Sequence, residues 1–196
     1  MIHTRQSTQT SKSSLPTLIL SVPHANPIGA GDRHSLQHAL QVDQVFEMSS
    51  TMIINKTLRI SGKVDYNRHH TPWPQLTNLL TKVSRNRHPC LHLDIHSFDV
   101  PPKRWKVPRK STVVIMAEGK NYQLLQKLRC PFPVVKGSSE NRNIVYSRKR
   151  NIPALLIEFL SKPIPMSVYQ TLYEFCLQYL LVYQMKYKLP EPVSTG

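Results

Sequence analysis

Thr17-Leu-Ile-Leu-Ser-Val22, followed at once by Pro23 and His24, is the stretch on which the fold reading turns. Its β-branched and apolar residues run without a break until proline stops them, which predicts a short strand buried on both faces. Working outward, His34 to Ile54 has helical spacing, with Leu36, Ala39, Leu40, Phe46 and Ile53 falling mainly on one side. Thr57–Val64 predicts a second strand, and Asp65-Tyr-Asn-Arg68 follows it directly. Pro72 and Pro74 open a helix in which Leu76, Leu79, Leu80 and Val83 keep the i, i+3, i+4, i+7 spacing. Cys90–Ile95 predicts the next strand, ending at His96-Ser-Phe98.

Beyond that point the pattern loosens. Pro101–Lys110 holds three prolines and five basic residues and predicts a loop. Val113–Met116 reads as a strand, Tyr122–Leu128 as a short helix and Pro133–Val135 as a further short strand. Gly137–Arg150 is polar and basic and reads as a second long loop, with Ile144-Val-Tyr146 as a candidate edge strand. Ala154–Ile157 is the last strand and ends at Glu158. Met166 to about Lys186 is the closing helix, its apolar face formed by Tyr169, Leu172, Tyr173, Cys176, Leu180 and Tyr183. Strands alternating with helices predict a three-layer α/β sandwich with a mostly parallel or mixed central sheet. The expected organisation is a tail over 1–14, one α/β domain over 15–189 and a second tail over 190–196.

Composition narrows the function classes. With 40% apolar and 19% charged residues in 196, the chain reads as one globular domain. No apolar run approaches the roughly 20 residues of a bilayer span, and the polar start lacks a secretory core, so the expected location is the cytoplasm or nucleus. Cys90, Cys130 and Cys176 stand 40 and 46 residues apart, which excludes a Cys-x-x-Cys zinc ribbon and suits a reducing compartment. Net charge is +15, and Pro101–Arg150 supplies +11 of it, with thirteen basic residues against Glu118 and Glu140. Such a segment attracts nucleic acid or another polyanion, or is simply a solvated basic surface. The absence of a Gly-rich phosphate loop excludes a P-loop nucleotidase.

Reactive side chains gather at strand ends: His24 after the first strand, Asp65 and Arg68 after the second, His96 after the third and Glu158 at the last. Ligands of open parallel sheets bind beyond the carboxyl ends of strands, so this recurrence marks a candidate active site. Polar residues also simply terminate apolar strands, which would account for any one of them. Two histidines with a carboxylate and an open position are the ingredients of a catalytic zinc centre. His92, Asp94 and His96 alternate and so share one strand face; either a metal lies beside them or Asp94 orients an imidazole by hydrogen bonding. Glu158, set among apolar residues, is either a general base or a salt-bridged carboxylate.

Taken in order, Pro23-His24-Ala25, Val64-Asp-Tyr-Asn-Arg68, Leu93-Asp-Ile-His-Ser-Phe98 and Leu155-Leu-Ile-Glu158 resemble the N-formylglutamate amidohydrolase family and, more widely, the zinc carboxypeptidase-like superfamily. The resemblance spans about residues 17–186. It implies a carboxypeptidase/phosphorylase-hydrolase-like sandwich and a zinc-dependent amidohydrolase acting on a small or peptide-like substrate that bears a carboxylate. In this reading His24 and His96 are metal ligands, Asn67 and Arg68 bind substrate and Glu158 is the general base; Tyr146, or a loop arginine, is expected to meet the substrate at the developing oxyanion. The superfamily places a glutamate three residues after its first histidine; here that residue is Pro27. The third ligand must then come from elsewhere: the resemblance implies Asp43, on the helix after the first loop, where family members also carry an acidic residue, with Asp32 as the other choice. The competing reading is a non-catalytic basic protein on the same scaffold that docks nucleic acid or an acidic partner through 101–150.

Overall fold

The computed structural model describes residues 2–5, 16–25, 34–55, 73–85, 89–137 and 142–187. In chain order they form β1 (Ile2–Arg5), β2 (Thr17–Val22), α1 (Ser35–Val45), β3 (Ser49–Ile54), α2 (Pro74–Arg85), β4 (Cys90–Phe98), a single 3-10 turn (Lys103–Trp105), β5 (Val113–Ala117), α3 (Gly119–Lys127), β6 (Val134–Lys136), α4 (Arg142–Lys149), β7 (Ala154–Leu160) and α5 (Met166–Tyr187). The strands make one mixed sheet in the order β1-β3-β2-β4-β7-β5-β6. β3, β2, β4 and β7 are mutually parallel; β1 runs antiparallel to β3, and β5 with its parallel neighbour β6 runs antiparallel to β7. Helices cover both sides, so the expected three-layer sandwich is the observed fold.

The alternation of β2, β4 and β7 sorts the two layers. Leu18, Leu20, Leu93, Ile95, Leu155, Ile157 and Phe159 join Ala39 and Val42 of α1, Leu124 and Leu125 of α3, and a row along α5 in the main core. The α5 row is Tyr169, Leu172, Phe175, Cys176, Tyr179, Leu180 and Tyr183, the i, i+3, i+4, i+7 stripe expected of a helix laid on a sheet. On the opposite side Ile19, Ile53 and Cys90 pack with Trp73, Leu76 and Leu80 around α2, and Ile144 of α4 packs on Ala154 and Leu156. All three cysteines are free thiols, and burial pushes Cys90 up to about 12 and Cys130 to about 11. No helix of the described residues is long and apolar enough to cross a membrane.

Several elements depart from the sequence reading, each for a physical reason. The long helix expected over 34–54 stops at Phe46, where the backbone turns extended (φ −75°, ψ 111°), and Ser49–Ile54 becomes β3. That hexapeptide ends Met-Ile-Ile and finds β2 as a parallel partner, so pairing overrides the apparent helical spacing. The candidate strand Thr57–Val64 lies outside the described residues, as do Asp65, Asn67 and Arg68. In the expected N-terminal tail, Ile2–Arg5 instead pairs with β3 as an edge strand; residues 6–15 and 188–196 are outside the described set. His96 and Glu158 sit inside β4 and β7 rather than beyond them, because the ladder between those strands continues to Phe98 and Leu160.

The largest correction is α4. The segment read as a loop with an edge strand at Ile144–Tyr146 is a helix over Arg142–Lys149. Its buried face carries Asn143 and Ser147, one turn apart, beside Ile144. A helix whose inward residues are partly polar lacks the apolar period by which amphipathic helices are recognised.

Candidate active site

β2 and β4 lie side by side, but the chain leaves their carboxyl ends in opposite directions: β2 leads through α1 to β3 on one flank, and β4 leads toward β5 on the other. This is a topological switch point, where an open α/β sheet leaves a crevice for ligand. His24 and His96 meet there. Their ring centroids are 5.4 Å apart and the rings are edge-on at 66°, both side chains being buried.

His24 is held from its backbone. The Ala25 N–H donates to the Asn55 carbonyl at 3.0 Å, the Asn55 side-chain amide donates to the Pro23 carbonyl at 2.7 Å, and the Ser35 hydroxyl donates to the His24 carbonyl at 3.0 Å. The end of β3 and the first turn of α1 thus clamp the turn that carries the imidazole. Asn55 and Ser35 escape a sequence reading because their side chains bind main-chain carbonyls, those of Pro23 and His24.

His96 is held through its ring, in a network that reaches across the α4 side of the sheet. Its Nε2 lies 3.2 Å from Oδ2 of Asp94, which is fully buried. The same carboxylate accepts the Ser21 hydroxyl and the Asn143 side-chain amide at 3.1 and 3.2 Å. Burial opposes ionisation of Asp94, but His96 beside it, aided by His92 and the Ser21 hydroxyl, outweighs that and holds its carboxyl below the ordinary value. Donor accounting orders the rest. Ser21 has one proton and gives it to the carboxylate, so His92 Nε2–H donates to Ser21 Oγ at 2.7 Å, and His92 Nδ1 accepts from Ser147 Oγ at 2.7 Å. Burial keeps His92 neutral, with its pKa lowered to about 4. A relay of fixed direction, from Ser147 through His92 and Ser21 to Asp94, therefore backs the contact that sets the His96 ring.

When the His96 ring is neutral, that contact puts its proton on Nε2 and leaves Nδ1 as the lone-pair donor. Two imidazoles converging in this way fit a divalent cation as two of its donors. No trio of histidine, cysteine or carboxylate groups able to hold a metal ion occurs among the described residues. Asp43 accordingly does not complete a trio with His24 and His96; it lies on α1 and accepts the hydroxyl of Ser50 on β3. Asp32 lies outside the described residues.

Glu158 is half-buried in β7, in register with His96 on its neighbour. Paired positions on parallel strands point to the same face, so this carboxylate and that imidazole share the α4 side at the carboxyl edge. Tyr146 sits on α4, its ring 4.8 Å from the Arg142 guanidinium and its hydroxyl accepting Arg142 Nε–H at 2.7 Å. Among the described residues, Arg150 is a second cationic neighbour of that ring, at 5.8 Å. Arg142, buried at the first turn of α4, was hidden in the presumed loop, as were Asn143 and Ser147. Ser21 left one trace in the sequence, a hydroxyl interrupting an apolar strand.

No protein-family model matches the sequence, and no curated protein matches it. Among solved structures, the chain is similar to a gene product of Agrobacterium tumefaciens with a TM-score of 0.57 and 11% identity, covering 87% of this chain and 91% of that one. Succinylglutamate desuccinylase from Chromobacterium violaceum gives 0.49 at 13% identity, over 85% of this chain and 63% of that one. N-formylglutamate amidohydrolase from Ralstonia eutropha gives 0.42 at 12% identity, over 89% and 95%. At these identities the likeness to the Agrobacterium protein is one of fold, a shared α/β architecture over nearly the whole of both chains.

Proposed function

We propose that this protein is a hydrolase of the zinc carboxypeptidase-like kind, similar to N-formylglutamate amidohydrolases, cleaving an amide bond in a small or peptide-like substrate that carries a carboxylate. The observation that carries the reading is the 5.4 Å approach of the His24 and His96 rings at the switch point, with Glu158 level with His96 on the next strand. His24 and His96 would hold a divalent ion, zinc by the chemistry of paired imidazoles, and such an ion supplies a Lewis acid at the amide carbonyl. Glu158 takes one proton from the attacking water and returns it to the departing nitrogen, so the acyl part leaves as a carboxylic acid and the other as an amine. Asp94 keeps the His96 ring from turning. Asn67 and Arg68 grip the substrate carboxylate, the planar guanidinium doing so bidentately. Tyr146 acts through Arg142, whose guanidinium it holds at the head of α4.

The test uses untagged protein equilibrated with zinc and offered a panel of N-acylglutamates and glutamate-terminated dipeptides, with amine release as the readout. Hydrolysis is expected, lowered about 10²–10⁴-fold by Glu158→Gln. His96→Ala is expected to lose bound zinc while unfolding as cooperatively as the parent. Protein that takes up no zinc and releases no amine from any of the panel overturns the proposal in favour of a binding protein on this scaffold.

A further inference from the structure

The connection from β4 to β5, residues 99–112, leaves β4 two residues beyond His96 and re-enters the sheet against β7. It therefore runs along the same carboxyl edge as the imidazole pair. Both of its ends are stitched to the end of β7: the Leu160 N–H donates to the Thr112 carbonyl at 2.9 Å and the Ser161 N–H to the Phe98 carbonyl at 2.7 Å. Lys103, Arg104, Lys106, Arg109 and Lys110 all stand exposed on this connection, and Lys162 is exposed just past β7. Asp99 is the one acidic residue of 99–112. No ion pair among the described residues engages any of the six cations.

The loop is also stiff. Pro101, Pro102 and Pro108 restrict its backbone. The Trp105 N–H donates to the Pro102 carbonyl at 2.9 Å, and the Ser111 hydroxyl donates to the Pro108 carbonyl at 2.7 Å. The Trp105 ring stands edge-on to Phe98 at 5.5 Å, tying the middle of the loop to the strand that bears His96. Like charges held together repel, so this array does nothing for the stability of the free protein. Held in place, it loses little freedom when an anion arrives, unlike a floppy lysine run.

We propose that this rim is a docking surface for an acidic polypeptide, a run of aspartate or glutamate residues that brings one carboxylate-flanked amide to the site beneath. Where the chain is delivered rests on the hydrolase reading above; the docking itself does not. An extended acidic peptide turns a carboxylate toward one side at roughly every 6.6 Å of its length, because successive side chains alternate faces, and so presents several to a row of cations. Arginine takes such groups bidentately and lysine takes them as a point charge. Nucleic acid suits the rim less well. Stacked bases need free aromatic faces, and Trp105, the one aromatic residue of the connection, is placed against Phe98. The rim also offers no long helix or paired strands to enter a groove.

Fluorescence anisotropy with the whole chain tests this, using labelled decaglutamate and a labelled oligothymidylate of matched charge. Decaglutamate is expected to bind, with affinity falling at least about tenfold from low to high salt. The rim reversal K103E/R104E/R109E/K110E is expected to weaken it at least about tenfold. The charge-matched control K82E/R85E/K149E/K186E, at the opposite edge of the sheet where α2, α4 and α5 end, is expected to weaken it less than about threefold. His96→Ala should bind decaglutamate as the parent does, which separates docking from loss of the hydrolytic site. Failure of decaglutamate to bind, tighter binding of oligothymidylate, or equal losses in the rim and control variants would each overturn the proposal. Thermal unfolding of each variant confirms that the comparison is made between folded proteins.

Discussion

The two sides of the central sheet are built from the same strands and have opposite characters. Toward α1, α3 and α5, β4 presents Leu91, Leu93 and Ile95; toward α4, one residue out of step, it presents His92, Asp94 and His96. The first side needs no explanation beyond the transfer of apolar area from water, about 25 cal/mol per Å². The second buries a carboxylate and an imidazole that water would have solvated, and even when every hydrogen bond is made such an arrangement does little better than break even. The difference separates two jobs. The α5 side holds the sandwich together, while the α4 side fixes the orientation of one histidine at the carboxyl edge.

Removing Asp94 strikes this contrast hardest. Asp94→Ala leaves the Ser21, His96 and Asn143 donors facing one another without an acceptor, and is expected to cost about 3–5 kcal/mol in urea unfolding. A loss below about 1 kcal/mol would mean that the buried polar cluster is not coupled.

Acid probes both sides at once, because each encloses a neutral histidine. His92 lies in the α4 network; His38 of α1 stacks on Phe159 at 4.7 Å and donates from Nε2 to the Leu160 carbonyl at 3.0 Å. Burial lowers each pKa from 6.5 to about 4. The unfolded chain therefore takes up these protons first. Stability is whole above pH 6.5 and falls as pH drops toward 4, by about 1.4 kcal/mol per pH unit for each histidine. His92→Gln and His38→Gln should each remove one proton's worth of that slope, whatever they do to stability at neutral pH. An unchanged slope would show that the histidine is charged in the folded state.

The gentlest perturbation is Ile157→Val on the apolar side. It should cost about 0.5–1.5 kcal/mol and leave the proposed amide hydrolysis unaltered. A change in turnover would show that the two sides are mechanically linked across the strand.

The sequence was most legible where apolar residues carry the pattern. Thr17–Val22, Ala154–Ile157 and the face of α5 announce themselves because burial on these elements is apolar. His24, His96 and Glu158 were legible as candidates because strand ends recur beside them. Legibility failed where the buried partner is polar or the contact is through the backbone. Asn143 and Ser147 face inward from α4 and so erased the very period that would have revealed the helix. The Ser35 hydroxyl and the Asn55 side-chain amide serve His24 by binding the carbonyls of His24 and Pro23, which no residue spacing records. Ser49–Ile54 was misread for another reason: its strand character comes from pairing with β2, a neighbour far enough along the chain that local spacing does not see it.

The short strand Ile2–Arg5 carries a consequence of its own. Ser49–Ile54 would otherwise close the sheet on that flank with a row of unpaired amides and carbonyls beside Met52, Ile53 and Ile54, the composition on which foreign strands and copies of the same chain aggregate. A segment from the far end of the polypeptide occupies that margin in the opposite sense, and the other margin is a strand of three residues ending in Lys136. With one border sealed by its own chain and the other kept brief and charged, the sheet offers little on which a fibril could start to grow.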